Sequence, residues 1–187
     1  MVRQKIDVQG GILVAHDGSP SGMAALRTAV RCADVFGPHI TVVRAWDVRT
    51  APTPPTQTMS YVPPLDDFEA STLAALEASV AEIRAESPDA QISCSVVHGN
   101  AAEKLIEASH DVDLIVVGRR GRGGFAGLLL GSVSNQVVHH ARCRVLVDKG
   151  VATPGDAPDA GSDATDEIDS EQMFQALASE IDTGDAR

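Results

Sequence analysis

The chain has 187 residues, 43% of them hydrophobic, and a formal net charge of −11, which allows one core of ordinary domain size and no second full domain. The negative balance excludes a general nucleic-acid binder, whose affinity for phosphates is built from clustered Lys and Arg. No apolar run approaches the roughly 18 residues of a membrane span, and Cys32, Cys94 and Cys143 are too scattered for a disulfide framework or a zinc site.

The charge is unevenly spread. From Val151 onward ten acidic residues face a single basic one, Arg187, so the tail carries −9 and residues 1–150 only −2. The N-terminus lacks the apolar stretch of a signal peptide, and a reducing cytoplasm is the expected setting, with no membrane partner.

Gly11 to Ala15 form a short continuous apolar run, the pattern of a strand buried on both faces of a parallel sheet. Ser19-Pro20 then open a helix, Ser as cap and Pro in the first turn, which Gly37-Pro38 end. A second strand covers Ile40 to Val43. Residues 49–64 hold five prolines and read as an extended loop, a candidate lid or partner contact. Leu65, Phe68, Leu73, Leu76, Val80 and Ile83 mark one face of a second helix that stops before Pro88. Strand three covers Ile92 to Val97. Asn100-Ala101-Ala102-Glu103 has capping-box spacing with Asn in the cap position. Strand four is Leu114 to Val117, a last helix follows Ser132, and strand five is Val145 to Val147.

Such alternation predicts an α/β fold: an open five-stranded parallel sheet with helices on both faces, Rossmann-like, over residues 1–149. Residues 150–187 are too rich in Asp, Ala, Gly, Ser and Thr to bury a core, and read as an acidic disordered tail. Met173, Phe174, Leu177 and Ile181 fall at helical spacing within it, which makes the tail, like the 49–64 loop, a candidate contact for a protein partner.

The segment with chemistry runs from the end of strand four: Gly118-x2-Gly121-x9-Gly131-Ser132, then a helix. Ligands of parallel sheets collect at the carboxyl ends of strands, where helix N-termini present unpaired N–H groups and glycines let the backbone approach a phosphate chain. A Walker A loop is excluded, since Gly123-Gly124 stand where Gly-Lys would be required. The turn Asp17 to Gly22 does not match the dinucleotide fingerprint. His16-Asp17-Gly18-Ser19 fails as a haloacid dehalogenase signature, because Ala15 occupies the nucleophile position. His139 and His140 are adjacent on a helix and point to different faces, a poor arrangement for a shared metal.

The glycine spacing resembles the nucleotide loop of ATP-binding universal stress proteins. The likeness extends over residues 7–149: a first strand ending in Asp17, a second ending near Ala45, the Val97-His98-Gly99 turn and the final Val145 to Val147 strand. It implies that Ala15, His16 and Asp17 line the pocket beside ribose and phosphates and that the backbone at Ala45 approaches adenine. It also implies that Val117, Gly118, Arg120, Gly121, Gly131, Ser132, Val133 and Ser134 surround the phosphates. Two departures are visible: Arg119 and Arg120 replace the Ser and His of many relatives, and Ala45 is smaller than the usual Val.

The implied function is an ATP-binding stress-response regulator that takes Mg2+ with the nucleotide, near Asp17, and dimerises through Val145 to Val147. No dedicated base or nucleophile is legible, so hydrolysis is expected to be slow at most. Two rivals share the architecture: a nucleotide-free interaction module, and an enzyme of the adenine nucleotide α-hydrolase type acting on a second substrate.

Overall fold

A computed structural model of the chain describes residues 2–121 and 129–150. The acidic tail from Val151 onward, with its Met173-to-Ile181 face, lies outside the described residues. In chain order the elements are β1 (Ile12–Ala15), α1 (Pro20–Phe36), β2 (His39–Trp46), α2 (Leu65–Glu86), β3 (Gln91–His98), α3 (Ala101–Ala108), β4 (Leu114–Gly118), α4 (Ser132–His140) and β5 (Arg144–Asp148). The strands form one parallel sheet in the order β3-β2-β1-β4-β5. Among the described residues no helix is long and apolar enough to cross a membrane.

Successive residues of a strand point to opposite faces, so the apolar runs divide between two cores. Ile12 and Val14 of β1, Ile40 and Val42 of β2, and Leu114 and Val116 of β4 pack beneath α1 and α2 with Leu26, Leu76 and Val80. Leu13, Val43, Val97, Ile115 and Val117 face the other way, toward Leu105 of α3 and Val137 of α4.

The predicted helix boundaries follow their stated causes. The Ser19 hydroxyl accepts from Gly22 N at 3.1 Å, with Pro20 in the first turn, and Gly37 closes α1 at φ +90° by donating to Ala33 O at 2.9 Å. Asn100 Oδ1 accepts from Ala102 N at 2.9 Å and Glu103 N at 3.2 Å, opening α3. The second strand runs on to Trp46, beyond the apolar run that marked it, because Arg44 takes its place in the ladder opposite Val96 and is itself buried. Within 49–64, Thr58 and Tyr61 pair through two backbone hydrogen bonds of 3.3 Å, leaving Met59 fully exposed at the tip.

Ahead of β1 the chain makes a strap. Its amino end is held where His98 N donates to Arg3 O at 2.8 Å and Arg3 Nη1 donates to Ser95 Oγ at 2.9 Å. Ile6 and Val8 pack on the α3 face of the sheet. Gly10 and Gly11, at φ +71° and +72°, then turn the chain into β1.

Two measurements check this packing. Leu76→Ala, at a fully buried position of the first core, is expected to cost about 2–5 kcal/mol, read as a lower urea midpoint with an unchanged slope. Asn100→Ala is expected to cost about 1 kcal/mol through loss of the α3 cap, in the same assay.

Candidate functional site

The sheet order places β1 and β4 side by side although their crossovers leave in opposite directions, and such a switch point opens a crevice at the carboxyl ends of the strands. A cleft of about 420 Å3 lies there. Strand β1 delivers Ala15, His16 and Asp17, β2 delivers Ala45, and β4 delivers Val117 and Gly118. Arg120, Gly121 and Gly131 come from the loop between β4 and α4, and Ser132, Val133 and Ser134 from the first turn of α4. All twelve residues singled out in the sequence therefore line one cleft.

The turn after β1 is built by side chains. His16, buried, accepts from Gly18 N at Nδ1 over 2.9 Å, and Asp17 Oδ1 accepts from Ser19 N at the same distance, with Gly18 at φ +83°. An imidazole that accepts at Nδ1 carries its proton on Nε2. The glycines of the loop have different reasons. A Cβ at Gly118 would stand 2.7 Å from the backbone oxygen of Ser21, so glycine is required there by space, whereas one at Gly121 would stand 2.5 Å from Asp17 Oδ2 and displace that carboxylate. Gly131 has an ordinary φ of −70° and would leave a Cβ at 3.5 Å from its nearest neighbours, so packing does not demand glycine there.

Ser134 lines the cleft and has a structural bond besides. Its hydroxyl donates to Gly118 O at 2.7 Å and is buried, so it staples α4 to the end of β4. Gly131 N donates to Arg119 O at 2.8 Å and closes the loop at its base. The amino end of α4 has no side-chain cap, because its N-cap residue is Gly131.

Apart from Ala45, the far half of the cleft was not assigned from sequence. Its walls are Ile6, Val43, Val97 and Leu105, with Asp47, Thr50 and Lys104 at polar positions. The Asn100 cap was a usable signal for α3, since a helix starting just after β3 must begin at the carboxyl edge of the sheet. Ile6, a lone isoleucine in a polar stretch, carried no such signal. Burial pushes the Asp47 carboxyl up, but hydrogen bonds from Arg49 N at 2.7 Å and Thr50 N at 3.0 Å, with the Arg49 charge, outweigh it and hold the group below its ordinary value. Trp46 is 1% exposed, meets His98 edge-on at 4.9 Å, and its indole N–H finds no acceptor among the described residues. Cationic Arg44, Lys104 and Arg120 outnumber Asp17 and Asp47 around the cleft. Among the described residues no group of three or more His, Cys, Asp or Glu is placed to hold a metal ion.

Comparison with known proteins agrees with this architecture. Residues 11–149 match the model of the universal stress protein family. Universal stress protein Rv2005c of Mycobacterium tuberculosis is 40% identical over 141 residues, which are 73% of this chain and 44% of that protein. The chain thus spans less than half the length of this curated relative. Among solved structures, universal stress protein UspA from Lactobacillus plantarum is 22% identical at a TM-score of 0.58, covering 77% of this chain and 100% of its own. A universal stress protein in complex with cAMP is 24% identical at a TM-score of 0.53, covering 76% and 98%. A family match over most of the sequence, together with a fold shared with those solved structures, leads to one conclusion: the chain belongs to the universal stress protein family.

Proposed function

We propose that the cleft binds ATP together with Mg2+, and that the protein is a nucleotide-dependent stress-response regulator with at most slow hydrolysis. The observation that carries this reading is the uncapped amino end of α4. Three helices bring N-terminal residues to the cleft. Ser19 caps α1 and Asn100 caps α3, whereas α4 ends at a glycine without a side-chain cap. First-turn amides and the helix dipole there favour an anion. Gly121 gives the Asp17 carboxylate the space beside this end, where it would share Mg2+ with phosphate oxygens.

The other half of the cleft suits a flat, weakly polar ring, with apolar walls from Val43, Ala45 and Val97. The buried Trp46 N–H would gain from a polar occupant nearby. A neighbour of the same fold holds a cyclic adenine nucleotide. Slow turnover fits the hydrogen bonding, since His16 Nδ1 and Asp17 Oδ1 already accept N–H groups of their own turn and are poorly available as bases.

Partner contacts form the second part of the reading. Strand β5 is the sheet edge beyond β4, and Val145 to Val147 offer its outer backbone to a second copy. Met59, Tyr61 and Val62 expose apolar surface on the 49–64 loop, which favours a protein partner there. The acidic tail is a further candidate contact. The three cysteines stand as free thiols, in keeping with a reducing cytoplasm.

Calorimetric titration with Mg-ATP tests the site. Wild type is expected to bind at micromolar strength or better, and Gly131→Glu, which adds bulk and negative charge at the uncapped helix end, is expected to abolish binding. Because a Cβ fits at 131, its urea midpoint should change little. No binding by wild type at millimolar ATP would turn the function toward the nucleotide-free interaction module. Sedimentation equilibrium of wild type is expected to give a dimer, and a monomer at all concentrations would count against pairing through β5.

A further inference from the structure

Residues 2–10 precede the span matched by the family model, which begins at residue 11. They have no regular secondary structure, yet they are held at both ends and bury one side chain, Ile6, between them. At the cleft end, Arg3 is engaged by two elements through three groups: on β3 its carbonyl accepts from His98 N at 2.8 Å and its Nη1 donates to Ser95 Oγ at 2.9 Å, and its N–H lies 3.3 Å from both carboxylate oxygens of Glu69 on α2. At the far end, Gly10 N donates to Asp111 O at 2.6 Å and Gly11 N to Asp113 Oδ2 at 2.8 Å. Between these anchors Ile6 is 2% exposed, packs with Val43, Val97 and Leu105, and lines the cleft.

This wall stands opposite the glycine loop. Strands β4 and β2 are separated by β1, so the apolar half of the cleft at β2 and β3 lies roughly 10–14 Å from the α4 end, taking about 4.8 Å per strand. A ligand with an anionic chain at α4 and a flat ring at its other end would meet Ile6 with the ring. We infer that the N-terminal strap is part of the binding site, with Ile6 as a specificity-determining wall for the ring of the ligand and the Arg3 anchors holding that wall closed. This rests on the nucleotide reading above.

The strap makes two separable demands. Truncating Ile6 removes ring contact and leaves the phosphate end of the cleft intact. Truncating Arg3 removes its side-chain bond to Ser95 Oγ while the backbone bonds to His98 and Glu69 stay, which loosens the hold on Ile6 and should appear in the rate at which ligand leaves. The single tryptophan, Trp46, lines the same cleft and supplies a fluorescence signal for that rate.

The test uses the full chain and its variants Ile6→Ala, Ile6→Val and Arg3→Ala. Affinities for Mg-ATP, adenosine and Mg-tripolyphosphate are measured by calorimetry and competition, and ATP dissociation by stopped-flow fluorescence. Ile6→Ala is expected to weaken ATP and adenosine by about tenfold or more while tripolyphosphate stays within about twofold, and Ile6→Val should restore most of the loss. Arg3→Ala should raise the ATP dissociation rate several-fold and leave tripolyphosphate unchanged. Should Ile6→Ala fail to fold, the Ile6→Val and Arg3→Ala measurements decide. The inference is overturned if ATP binding and release by the folded variants match wild type, or if tripolyphosphate weakens by the same factor as ATP, which would mark a general loosening. Absence of ATP binding by wild type would instead overturn the nucleotide reading, and the strap's role with it.

Discussion

Gly118 lies against the start of α1 so closely that a Cβ would sit 2.7 Å from the carbonyl oxygen of Ser21. The cleft depends on this contact. It brings the end of β4 against the turn after β1, so that Asp17 reaches Gly121, and Gly131 N meets Arg119 O beside them. Ser134 holds the other side, donating to the Gly118 carbonyl from the first turn of α4. A side chain at 118 would push β4 away from α1 and separate the groups that line the cleft.

Around that contact the site divides by chemistry. At β4 and α4 it is made of backbone N–H groups, glycines and a carboxylate, an arrangement with fixed dipoles suited to a phosphate chain and its cation. At β2, β3 and α3 it is made of aliphatic side chains with a few polar groups at the margin. The strap belongs to this second half, and its anchors explain how a segment without secondary structure keeps Ile6 buried: backbone and side chain of Arg3 are both engaged, and Gly10 and Gly11 supply the left-handed conformations that turn it into β1.

The two edges of the sheet are treated differently. At β3 the strap supplies an acceptor for His98 N, so the carboxyl end of that edge is covered. At β5 the side chains of Val145, Leu146 and Val147 pack against the cores of the same chain, while the described residues pair the strand only with β4. Open backbone along β5, against a β3 edge that the strap covers at its carboxyl end, is the asymmetry that makes β5 the strand through which pairing with a second copy is proposed.

The sequence by itself determined the elements and their type, because local causes were sufficient. Apolar runs at Ile12, Ile40, Ile92, Leu114 and Val145 marked buried strands, Ser19, Pro20 and Asn100 marked helix starts, and Gly37 a helix end. The twelve residues assigned to the cleft came from the glycine spacing after β4 and from the family resemblance it carries; they stand at the ends of three strands, in one loop and in the first turn of α4. Tertiary structure decided the rest. That Arg44 belongs to a strand follows from its partner Val96, which no local pattern displays. That the Ser134 hydroxyl is spent on Gly118 depends on where α4 lands. That Ile6 walls the cleft depends on anchors contributed by Ser95 and His98, some ninety residues away in the chain. Propensity and capping act within a few residues, whereas a cleft wall is defined by distances between elements that only the packed sheet sets.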